Sequence, residues 1–212
     1  MSRLPVLTGL SAILLGMIYV TAFIYFGAFF AYPADAPPPE KLQYLADHQT
    51  ALSLVYFAIY VVFGFVLALL VVWMHQRFKD TQPLMSQLAS LFGAIWVALV
   101  IASGMIFIGG LSQAVSLLGE DPDKGFTLWR TVSVVANSIG GGNEIVGGAW
   151  VLGVSLLALN KQLFSKALNL LGCFVGLAGI ATAYPLDVLT EIFGVSQILW
   201  FFWLGVAILR TE

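Results

Sequence analysis

The sequence predicts an all-α membrane protein, a bundle of six transmembrane helices. Three observations carry this prediction. Of 212 residues, 60% are hydrophobic and only 9% are charged, whereas a soluble domain carries roughly 25% charged residues. Mean hydropathy is +0.95. The apolar residues also gather into stretches near ~20 residues, the length of helix that crosses a ~30 Å hydrocarbon core.

The first span is predicted over 7–31. Arg3 precedes it, as in a secretory signal, but the run from Leu7 to Phe30 is far longer than a signal's apolar region of about 7–15 residues. It is therefore read as a retained span. The connection "AYPADAPPPEKLQYLADHQT" follows. Its triple proline favours extended polyproline structure, and Glu40 to Gln49 reads as a short helix leading into the second span, 49–74. The short loop "QRFKDTQP" separates this from the third span, 84–111. The next loop, "SQAVSLLGEDPDKGFTLWR", starts amphipathic and ends in turn residues. The fourth span is predicted over 131–158, with "NKQLFSK" after it. The fifth, 167–184, and the sixth, 192–209, are short. Pro185, Asp187 and Glu191 separate them and favour two spans over one. No stretch could fold as a separate soluble domain, so 1–212 reads as a single transmembrane domain.

Lys and Arg in the loops set the orientation. With the N-terminus in the cytoplasm, Arg3, Arg77, Lys79, Lys161, Lys166 and Arg210 fall inside, and Lys41, Lys124 and Arg130 fall outside. The expectation is a multi-pass protein with both termini cytoplasmic.

Several function classes are disfavoured. The net charge of −2 and the lack of any basic run speak against a nucleic-acid partner. Cys173 is the single cysteine and sits in an apolar run, so no intrachain disulfide or CxxC pair exists. His48 and His75 lie at opposite ends of the second span and cannot share a metal or haem. The chain has no HExxH, no Gly-x-Ser-x-Gly and no pair of aspartates within a span. Neither a catalytic residue nor a cofactor is predicted.

What remains is one carboxyl group in "SIGGGNEIVGGAW", 138–150. Glu144 is the only ionisable side chain deep in a predicted span. The midpoint of the interval between Arg130 and Lys161 falls beside it, which puts Glu144 near the midplane. A charge there costs on the order of 2.5–3.5 kcal/mol or more. No Lys, Arg or His lies at matching depth. Glu144 is thus expected to be protonated, to face a water-filled cavity, or to bind a cation. Arg130, Asn137 and Glu144 are seven apart and share a helical face. With Ser133, Gly140, Gly141 and Gly148 they form a stripe of small and polar residues, which in lipid faces other helices. Gly140, Gly141 and Gly142 each weaken a helix by about 1 kcal/mol relative to Ala. They mark either a break that exposes backbone to a ligand or a surface for close packing. Asn143 adjoins the break. Tyr19 and Tyr60 fall near the midplanes of their own spans and are candidate partners for Glu144. The predicted site is therefore Glu144, Asn143, Asn137, Gly140, Gly141, Gly142, Tyr19 and Tyr60, binding or moving a small molecule or cation. The alternative is an accessory subunit with no transport activity, in which the glycines pack against its own bundle, a second copy or a partner membrane chain.

The runs "GGGNEIVGGAWVLGVSLLAL", 140–159, and "FGVSQILWFFWLGVAILR", 193–210, resemble a family of bacterial six-helix integral membrane proteins known only as a domain of unknown function. The resemblance covers mainly 130–210. It implies six spans, and neither a substrate nor catalytic residues.

Overall fold

A computed structural model describes residues 3–141, 144–184 and 186–210. These residues are almost entirely helical, and no strand occurs among them. Helix α1 (Arg3–Ile24) runs into a π-helical turn, Tyr25–Phe29. Helix α2 (Pro38–Asp47) is the short helix expected in the Pro-rich connection. Next come α3 (Gln49–Tyr56), a second π turn (Phe57–Val62) and α4 (Phe63–Phe78). Helix α5 (Pro83–Ser116) leads to α6 (Pro122–Ala136) and a kinked stretch, Asn137–Gly141. Helices α7 (Ile145–Lys161), α8 (Lys166–Ala181) and α9 (Asp187–Arg210) complete the described chain.

Among the described residues, five helical stretches are long and apolar enough to cross a membrane. They are Leu4–Phe29, Gln49–Phe78, Pro83–Ser116, Pro122–Lys161 and Asp187–Arg210. This is one fewer by length than the six expected from the sequence. The expected fifth span, 167–184, is the shorter helix α8, because the helical ladder ends at Ala181 and turns follow. Its 16 residues rise ~24 Å at ~1.5 Å each, short of a ~30 Å core.

The long loop expected between the third and fourth spans also shrinks. Helix α5 continues to Ser116, and α6 already starts at Pro122. Two local causes are visible. The Asp121 side chain accepts from the Lys124 N–H at 3.0 Å, with Pro122 at the first helical position, a strong helix start. Gly125 lets α6 approach α5 and α2 closely, since an added Cβ would lie 2.7 Å from the Ala114 carbonyl oxygen and 2.6 Å from Leu42.

The chain divides into two compact units. The first comprises Met1–Val20, Gly64–Ala98 and Asn143–Glu212. Its centre is a row of buried indoles: Trp96 and Trp150 lie 5.9 Å apart, and Trp150 meets Trp200 edge-on at 5.9 Å. In lipid, helices gain little from the hydrophobic effect and associate by packing, so small residues at contacts matter. Helices α7 and α8 run antiparallel with their backbones nearly touching. A Cβ on Gly148 would stand 2.6 Å from the Gly176 carbonyl oxygen, and one on Gly176 would stand 2.6 Å from the Leu152 nitrogen. Helices α1 and α9 approach in the same way, with Gly205 facing Ile13 and the Gly9 carbonyl. At the α4–α5 corner, the His75 ring nitrogen Nδ1 is 2.9 Å from the Ser90 hydroxyl and 3.1 Å from that of Ser86.

The second unit comprises Thr21–Phe63 and Leu99–Gly142. Its core joins Leu42 and Leu45 of α2, Leu52 and Tyr56 of α3, Phe107, Leu111 and Ala114 of α5, and Trp129 and Ala136 of α6. Both π turns and the kinked stretch Asn137–Gly141 belong to this unit.

Candidate functional site

The fourth span is broken. After Ala136 the helix kinks, and Gly140 leaves the helical conformation with φ 174° and ψ 2°. Helix α7 starts afresh at Ile145. Gly140 also packs: a Cβ there would lie 3.0 Å from the Leu99 carbonyl carbon. The Ser103 hydroxyl donates to the Ala136 carbonyl at 2.9 Å, where the regular ladder is interrupted. Break and close packing, set out as alternatives from the sequence, occur together at Gly140. Gly142 and Asn143 lie outside the described residues.

The predicted site residues divide between the two units. Glu144 and Tyr19 belong to the first, and Tyr60, Asn137, Gly140 and Gly141 to the second. Glu144 immediately precedes α7 and is buried. Its backbone N–H donates to the Thr182 hydroxyl at 3.0 Å, and that hydroxyl donates to the Gly179 carbonyl at 2.7 Å. The Trp96 indole lies beside the carboxyl group, while Oε2 has no hydrogen-bond partner among the described residues. Thr182 follows the last residue of α8, so Glu144 sits at one end of the α7–α8 pair and not halfway along it. Tyr19 packs on Phe201, ring centroids 6.3 Å apart.

The second unit holds an open cleft of about 550 Å³, its volume within the usual range of small-molecule sites, ~300–1,000 Å³. The two π turns contribute Phe26 and Tyr60 to it, and the kinked stretch before Gly140 contributes Asn137. Such turns recur at functional sites because the widened backbone re-aims side chains. Gly104 lets α5 approach the second turn, since a Cβ there would meet the Tyr60 Cβ at 2.5 Å. Helix α6 presents Phe126, Trp129, Arg130 and Ser133, and α2 presents Lys41. The aromatic wall is ordered by stacking. Tyr56 and Phe107 lie parallel with centroids 4.6 Å apart, and Phe30 stacks on Tyr32 at 5.7 Å. The Lys41 ammonium stands 5.6 Å from the centre of the Phe126 ring. Burial raises the Tyr32 hydroxyl above its ordinary pKa of 10.0.

Comparison with family models, curated proteins and solved structures returns no match. Function must therefore be argued from the site.

Part of this cleft is legible in the sequence. Arg130, Ser133 and Asn137 stand out as a polar face on an apolar helix, and Tyr60 as a polar group within a span. Lys41 and the Phe26, Phe30 and Tyr32 cluster carry no such signal, because they become neighbours of α6 only through folding. No group of His, Cys, Asp and Glu able to hold a metal occurs among the described residues.

Proposed function

We propose that this protein binds a small molecule in the aromatic cavity of its second unit, as a polytopic protein of a bacterial inner membrane with six crossings and cytoplasmic termini. The observation that carries the reading is the convergence of two π turns and the kinked stretch before Gly140 on one ligand-sized cleft. Irregular backbone among apolar helices is tolerated where it lines a cavity, and three such irregularities around the same space favour a binding role over simple packing. On the orientation argued from the loops, Lys41 and Arg130 put this cavity toward the outer face. The sixth crossing would be α8, which runs beside α7 along most of its length. The resemblance to an uncharacterised six-helix family is compatible with this reading.

A second reading is ion or proton handling at Glu144, favoured by a buried carboxyl whose Oε2 has no partner among the described residues.

The cavity reading is tested by Ser133→Trp, which fills the space from a half-buried lining position. Small molecules extracted from purified wild type and variant, matched for thermal stability, are compared by mass spectrometry. At least one species should accompany the wild type and be lost from the variant. Identical extracts would overturn the reading and return the protein to the accessory-subunit alternative, with its glycines serving a homo-oligomer or partner chain.

A further inference from the structure

The geometry points to a ligand class for this cavity: an amphiphile with an anionic head on a flat or flexible apolar body. This rests on the cavity being a ligand seat and adds the charge of the occupant. The second unit carries six acidic residues and three basic ones. None of the six acids lines the cavity, whereas Lys41 and Arg130, two of the three cations, do. All six acidic side chains, Asp35 to Asp123, are exposed, as is Arg130, whereas Lys41 is half-buried. Neither Lys41 nor Arg130 has an ion-pair partner among the described residues. An acidic unit that brings its cations to one aromatic space, and keeps its carboxylates away, is complementary to an anion. Arg adds a planar fork that suits carboxylate, sulfonate or phosphate oxygens. The Ser133 hydroxyl and Asn137 amide, on the same face of the fourth span, offer further hydrogen bonds beside it. The aromatic rings supply the apolar wall for the body. The same head chemistry occurs on an anionic phospholipid and on a free aromatic acid, so the test separates these sources.

Two fluorescent probes share one aromatic body: 8-anilinonaphthalene-1-sulfonate, which is anionic, and N-phenyl-1-naphthylamine, which is neutral. Each is titrated into the full-length protein in phosphatidylcholine nanodiscs, and the signal of Ser133→Trp is subtracted as the cavity-independent part. The sulfonate should bind wild type roughly tenfold or more tighter than the combined Lys41→Gln and Arg130→Gln variant. The neutral probe should bind the two alike, and the combined Lys41→Arg and Arg130→Lys variant should keep sulfonate binding. Equal sulfonate affinity in wild type and the double Gln variant would overturn the anionic assignment while leaving the cavity reading intact. No cavity-dependent signal from either probe would overturn both. The nanodiscs are then made with added phosphatidylglycerol. Loss of both probes identifies a lipid occupant, because mere repulsion at a charged surface would affect only the sulfonate. Retention of both identifies a free anion. Either result supports the assigned chemistry.

Discussion

At the residue scale, Glu144 and Thr182 form a buried polar contact beside the break. The Thr182 hydroxyl accepts from the Glu144 N–H and donates to the Gly179 carbonyl, so one side chain ties the start of α7 to the end of α8. Removing it leaves a buried N–H without its acceptor, which costs about 1–3 kcal/mol. Thr182→Val is therefore expected to lower the thermal stability of the detergent-solubilised protein. Glu144→Gln is expected to keep wild-type stability, because no cationic side chain is paired with the carboxyl group among the described residues. Circular dichroism melts of the two variants check both statements. A large loss in Glu144→Gln would mean that the carboxylate holds a cation in the resting protein. The sequence already singled out Glu144, because a lone acid in an apolar span is conspicuous. Thr182 was invisible, since a threonine near a helix end looks the same whether or not it meets another helix.

At the element scale, the α7–α8 contact depends on glycine at positions where no side chain fits. The neighbours of Gly148 are backbone atoms, the Gly176 carbonyl oxygen and the Ile180 nitrogen, each 2.6 Å from an added Cβ. Backbone cannot swing aside as a flexible side chain can. Gly148→Leu must separate the helices, and overpacking of this kind costs about 1–3 kcal/mol. Gly27 has nothing within 4 Å of its added Cβ, so Gly27→Ala serves as the control and should melt close to wild type. An unchanged melting temperature in Gly148→Leu would show that the two helices do not approach as described. The packing value of small residues on this span was legible in the sequence as a stripe. The π turns were not, because an extra residue in a helical turn follows from what the neighbouring helices accommodate.

At the scale of the whole molecule, the number of crossings fixes which loops share a side of the membrane. Helix α8 is too short to be recognised as a span by length alone, yet it pairs with α7 from Gly148–Gly179 through Leu152–Gly176 to Ser155–Gly172. If it crosses, residues 162 and 184 lie on opposite sides. Single cysteines at Gln162 and Tyr184, in a Cys173→Ser background, are expected to differ in labelling by an impermeant thiol reagent in intact cells. Tyr184→Cys should label and Gln162→Cys should not, and Asp121→Cys should label while Thr81→Cys should not. Equal labelling of Gln162→Cys and Tyr184→Cys, both or neither, would show that α8 does not cross, and labelling of Thr81→Cys in place of Asp121→Cys would reverse the orientation.

The sequence by itself determined that the chain is helical and apolar, that its helices are long enough to span a bilayer, and that one acid and a run of glycines interrupt the fourth of them. These are properties of composition and of contiguous runs, and the energetics of a backbone in lipid leaves few other solutions. Only the tertiary structure decided where a ligand-sized space lies. Its walls come from chain segments as distant as Phe26, Lys41, Tyr60, Phe107 and Arg130. Helix packing brings them together, and that packing depends on close contacts such as Gly104 against Tyr60 and Gly125 against Leu42 and Ala114, which no periodicity along a single helix reveals.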